Sequence, residues 1–193
     1  MTRYLSAWAS VYAQEATDSG NTVHSLVDQN ANQSRLQGMI AKLKPNIVFL
    51  NGHGSETFVM GHDNQIIIDM DTANILEGTT VYALACRSTR QLGTKAKTLG
   101  AKGYIGYSED FILVSQPRKI GHPTEDKTAA LFLGPSNQII RAITKGHSAG
   151  EAVRKGKKAF SDSISEALNS DVQSDDDKFI PYLFWNSRFL TAC

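Results

Sequence analysis

A chain of 193 residues with 41% apolar and 20% charged residues has the length and composition of a single soluble globular domain. Its 20 Lys and Arg against 19 Asp and Glu leave a formal net charge of +1, which calls for neither nucleic acid nor a membrane surface as a partner. No apolar run approaches the roughly 20 residues that span a bilayer, and the opening MTRYLSAWAS lacks the apolar core of a secretory signal. With two cysteines, Cys86 and Cys193, a disulfide framework is not expected; a reducing compartment, the cytoplasm, is.

In chain order, Tyr4, Leu5, Trp8, Val11 and Tyr12 predict an amphipathic helix over 3–16. Thr22 to Val27 suggests a short strand. A second helix is expected over 31–43, ended by Pro45. Asn46 to Leu50 (NIVFL) reads as a strand buried on both faces. Val59 and Ile66 to Ile68 flank the polar turn Gly61-His62-Asp63-Asn64 and predict a hairpin. Thr79 to Ala85 (TTVYALA) is the next buried strand, followed by a helix over 89–99 and a strand over 103–107.

Beyond these, Ser136 is placed as the cap of a helix ending near Gly146. Ser148 and Glu151 have capping-box spacing, and Ala152, Val153, Gly156, Ala159, Phe160, Ile164 and Leu168 form the stripe of a longer helix. An acidic loop is expected over 169–178 and a strand over 180–190. The strand–helix–strand order predicts one α/β domain spanning 1–193, a mostly parallel sheet flanked by helices. Such a domain usually opens with a buried strand. This chain opens with a helix, so the sheet is expected to lack its first strand or to have lost it.

Two strands share one design. NIVFL runs into Asn51-Gly52-His53-Gly54-Ser55, and TVYALA into Cys86-Arg87-Ser88. Ligands of open α/β sheets gather beyond the carboxyl ends of parallel strands, so neighbouring strands would bring His53 and Cys86 to one edge. A free thiol is only a few per cent thiolate at neutral pH. An imidazole beside it takes the proton and later returns it to the leaving amine, a service worth about 10²–10⁴ in rate. Gly54, without a Cβ, lets its N–H approach a substrate carbonyl; with the Cys86 N–H it would form an oxyanion hole. Taken singly, a Cys after a strand is packing and a His in a Gly-rich loop a turn residue; the pair at matched strand ends carries the catalytic reading. His62 sits at the hairpin tip, His24, His122 and His147 lack a matching context, and Cys193 is expected to fray. No CxxC, HxxxH, phosphate loop or G-x-S-x-G elbow occurs, so no metal or cofactor is expected.

The segments VFLNGHGSE (48–56) and VYALACRS (81–88) resemble the caspase-like cysteine peptidases, a group including caspases, gingipains, clostripain, legumain, separase and bacterial CHAT domains. The 61–64 hairpin, the GYIGY strand and GHSAGEA (146–152) are similar to CHAT and gingipain-type sequences. The resemblance covers roughly residues 20–190 and implies a caspase-like α/β/α sandwich. It implies His53 as general base and acid, Cys86 as nucleophile, and Gly54 as oxyanion donor.

Three functions follow: a cysteine endopeptidase acting on peptides or proteins, a non-catalytic caspase-like module with a regulatory protein partner, and an amide or acyl hydrolase of non-peptide substrates. Glu109 and Asp110 follow the 103–107 strand at the edge that carries Cys86. Related families select the residue before the scissile bond with a charged group there, so Glu109 and above all Asp110 are expected to bind Arg or Lys of a substrate. A solvated acidic turn is the plain alternative, and Asp69 and Asp71 are rival carboxylates.

Overall fold

The computed structural model describes residues 2–169 and 178–193. Among them, a four-stranded sheet runs in the order β1 (Ile47–Asn51), β4 (Thr80–Leu84), β5 (Gly103–Tyr107), β6 (Leu190–Ala192). The first three strands are mutually parallel and β6 is antiparallel to β5. β2 (Phe58–Met60) and β3 (Ile66–Asp69) form a separate antiparallel pair, the expected hairpin. No described strand pairs with the outer edge of β1.

Period-two alternation divides the core into two layers. Tyr82, Leu84, Ile105 and Tyr107 point into a cluster with Phe132, Ile139, Ile140 and Phe160. Val48, Leu50, Val81, Ala83 and Tyr104 point the other way, into a cluster with Leu36, Ile40, Ile68 and Leu92. The first face is covered by α1 (Thr2–Asp18), α4 (Lys127–Thr144), α5 (Ala149–Asn169) and α6 (Ile180–Phe189), the second by α2 (Gln33–Leu43) and α3 (Thr94–Thr98). The mostly parallel sheet between helices is the fold class read from the sequence. Among the described residues no helix is long and apolar enough to cross a membrane.

Several boundaries differ from expectation. Residues 22–27 follow α1 without regular pairing, and Val23 and Val27 stay exposed. Ser136 does not cap a helix. It lies inside α4, buried, donating to the Phe132 carbonyl at 3.2 Å. The cap is Asp126, and α4 runs through Pro135 because both its sides are buried; tertiary packing outweighs the lost backbone bond. The capping box at Ser148 is formed, with the Glu151 carboxylate accepting from the Ser148 N–H at 2.9 Å. The strand expected over 180–190 is mostly helix: Pro181 sits in the first turn of α6, where its missing N–H is harmless. Only Leu190–Ala192 extends, and the chain end does not fray, since the Cys193 N–H donates to Tyr104 O at 2.9 Å. The loop expected over 169–178 lies, apart from its end residues, outside the described residues.

Candidate active site

The parallel register pairs Asn51 with Leu84, so His53 and Cys86 each lie two residues beyond the carboxyl ends of neighbouring strands. The chain stays coupled past the strand end, where the Gly52 N–H donates to Leu84 O at 3.2 Å. On the other side the hairpin holds the loop. The Met60 N–H donates to His53 O at 2.8 Å and the Ser55 N–H to Phe58 O at 2.9 Å. Gly52 is required there, because a Cβ would stand 2.4 Å from Met60 O. This leaves the backbone of His53 fixed and its ring exposed, with no hydrogen-bond or ion-pair partner among the described residues.

Gly54 lies directly on the main chain of Cys86. A Cβ at this position would meet Ala85 Cβ at 2.8 Å, Cys86 O at 3.0 Å and Cys86 N at 3.2 Å. Neither the Gly54 N–H nor the Cys86 N–H donates to a described acceptor. Gly54→Ala must push the two segments apart. A misplacement of this size costs about 10²-fold in turnover, expected in kcat/KM with the fold retained by circular dichroism. Near-normal turnover of Gly54→Ala would remove Gly54 from the site.

Cys86 is half-buried and reduced. Burial pushes its thiol pKa up and the charge of Asp110 adds to this, while a hydrogen bond from the Phe111 backbone and the charge of Arg87 act the other way; the balance is upward. A thiol so placed is not self-activating and needs a base. His53 lies two residues past the end of the adjacent strand β1.

Beyond Cys86 the chain turns sharply. Arg87 adopts a left-handed conformation, φ 54°, and its N–H donates to Glu109 O at 3.2 Å. Thr89–Gly93 then winds as a π-helix rather than as the first turn of the expected 89–99 helix, a form that recurs at functional sites. From it Arg90 reaches three acceptors: Glu56 through Nη1 at 2.7 Å, Ser108 O through Nε at 2.7 Å, and Glu109 through Nη2. Glu109 is therefore held by Arg90. Asp110 instead faces Cys86 and pairs with Arg87, Nε to Oδ1 at 2.9 Å. Its carbonyl accepts from the Trp185 indole at 2.9 Å, which ties α6 to the loop after β5.

The structure thus brings together Gly54, Cys86 and Asp110, with His53 directly before Gly54 in the chain and Glu109 as a neighbour held elsewhere. Sequence reasoning did not single out Arg87, Arg90, Glu56 or Trp185; their partners are distant in sequence, and only the placement of charge near Cys86 hinted at them. Of the rivals, Asp69 accepts from the Thr72 N–H at 3.0 Å and hydroxyl at 2.7 Å, a local turn. His62 pairs with Asp63 at 3.3 Å at the hairpin tip. Cys193 lies by Thr89 O at 3.4 Å. Among the described residues no group of three or more His, Cys, Asp or Glu side chains is placed to hold a metal ion. In comparisons with known proteins, no family model, curated protein or solved structure matches this chain.

Proposed function

We propose that this chain is a cysteine endopeptidase of the caspase-like kind, working in the cytoplasm on peptide or protein substrates. The observation that carries this reading is that His53 and Cys86 each follow the carboxyl end of one of two adjacent parallel strands, with Gly54 against the Cys86 main chain. His53 takes the thiol proton as Sγ attacks the scissile carbonyl. The Gly54 and Cys86 N–H groups receive the oxyanion, the leaving amine departs with the proton from His53, and water releases the thioester. A peptide library digested with wild type and with Cys86→Ala tests it. Cleavage by the first and none by the second supports the reading, and equal digestion refutes it.

Asp110 is proposed to select Arg or Lys before the scissile bond. Glu109 is already engaged by Arg90, whereas the Asp110 carboxylate is largely exposed beside the thiol. In a fluorogenic series varying only that position, Arg and Lys substrates are expected to exceed Leu or Asp by about tenfold or more, the scale of a charge-assisted bidentate contact. Asp110→Ala should erase the difference. An unchanged preference in that variant would end this assignment.

A second reading, a non-catalytic caspase-like module for a regulatory partner, draws on the raised thiol and the unpartnered His53 ring. An electrophilic thiol probe separates the two, since labelling of Cys86 that depends on His53 belongs to an enzyme.

A further inference from the structure

Resting on the peptidase reading with Asp110 as selector, we infer that Arg87 is a second specificity-determining residue: its guanidinium occupies the Asp110 carboxylate as an internal stand-in that a basic substrate side chain must displace.

The two arginines beside the site are held in contrasting ways. Arg90 presents its whole fork, with Nε and both terminal nitrogens each on a separate oxygen. Arg87 meets Asp110 with Nε 2.9 Å from Oδ1, and that nitrogen, though buried, makes no aligned hydrogen bond to any described residue. Carboxylate and guanidinium pair best through two parallel N–H···O bonds, an arrangement that the Asp110 carboxylate, shared between Arg87 and the Cys86 thiol, does not show with Arg87. Both side chains are also substantially exposed, 42% for Arg87 and 60% for Asp110, and exposed pairs are weak. The contact is therefore built to be exchanged rather than to hold the loop. The loop has other anchors in the Arg87 N–H to Glu109 O, Arg90 to Ser108 O and Trp185 to Asp110 O.

Position along the chain gives the contact its consequence. Arg87 directly follows the nucleophile, and its left-handed backbone lets the side chain turn back beside Cys86 toward Asp110. A guanidinium or ammonium arriving from the substrate meets a carboxylate that is already half-neutralised. Its affinity is reduced by the fraction of molecules in which Arg87 holds the carboxylate. A neutral side chain makes no use of Asp110 and is indifferent to Arg87.

Binding, free of turnover, tests this. Nα-acetyl-argininamide and Nα-acetyl-leucinamide are titrated by NMR into Cys86→Ala and into Cys86→Ala carrying Arg87→Ala. Arg87→Gly serves as a second variant, because glycine accepts the positive φ without strain. Removing the guanidinium is expected to tighten the arginine compound about fivefold, the scale of an exposed ion pair, and to leave the leucine compound unchanged. In the active protein the same change should appear as a lower KM for Arg substrates, not for Leu substrates. Arginine binding that is unchanged, weakened, or undetectable in all three proteins overturns the inference. Tightening by Arg87→Ala or Arg87→Gly, in a protein whose Cys86 form cleaves no peptide, upholds the inference and overturns the peptidase reading alone.

Discussion

Cys86→Ala is expected to reduce peptide turnover to background, and His53→Ala to lower kcat/KM by about 10²–10⁴. Both residues lie past the ends of their strands and outside the two apolar clusters. Each variant should therefore melt within about 2 °C of wild type. His62→Ala, at the hairpin tip, should retain most activity. A Cys86→Ala protein with near-full turnover would remove the nucleophile. The pH profile adds an independent reading. Burial and the Asp110 carboxylate both favour the neutral thiol, so Cys86 is not expected to ionise by itself near neutral pH. Asp110→Asn removes a negative charge from beside the thiol and should displace the thiol's own titration to lower pH, followed by its ultraviolet absorbance. A displacement to higher pH would show that Asp110 does not face Cys86.

What could be read from the sequence depended on how local the cause was. NIVFL, TTVYALA and GYIGY are continuous apolar runs, and a strand buried on both faces has no other composition available to it; all three form the parallel core. That His53 and Cys86 follow neighbouring parallel strands was legible because each of two such runs leads into one of them. Helix α6 was missed because IPYLFWNSRFL is apolar nearly throughout and shows neither period clearly. Its state is decided by Leu183 and Asn186 docking, the latter donating to Ile112 O at 2.7 Å and accepting from its N–H at 2.9 Å. Ser136 lies inside α4 instead of capping it because Phe132, Ile139 and Ile140 bury that part of the helix on the sheet. The pairing of Asp110 with Arg87, and of Glu109 with Arg90, follows from the turn after Cys86. No residue type there announces a positive φ at Arg87 or a π-helix at Thr89.

Asp126→Ala is expected to cost about 3 kcal/mol of stability at neutral pH, the scale of removing one partner of several buried hydrogen bonds at once. The side chain is 1% exposed. Its carboxylate caps α4 by accepting from the Ala129 N–H at 3.0 Å, and it accepts from the Gln116 N–H at 2.7 Å and the Tyr4 hydroxyl at 2.7 Å. One residue thus joins α1, the segment leading from Asp110, and α4. Burial alone would raise its pKa, but these hydrogen bonds outweigh burial and hold it below the usual carboxyl value. A group depressed on folding stabilises the protein above the unfolded carboxyl pKa, about 3.9. That contribution fades as pH falls from there through the depressed folded value. Urea unfolding should accordingly show the full deficit of Asp126→Ala at pH 7 and a shrinking one below about pH 4. A deficit under about 1 kcal/mol at pH 7 would show these hydrogen bonds to be worth no more than one solvent-exposed cap. The site should register the change too. The segment from Ser108 to Gln116 keeps its ties at Trp185 and Asn186 but loses one of those at its far end, where Gln116 is left with Thr128 and Tyr4. KM for an Arg substrate should then rise at urea concentrations below the unfolding transition, while KM for a Leu substrate, which makes no use of Asp110, should not.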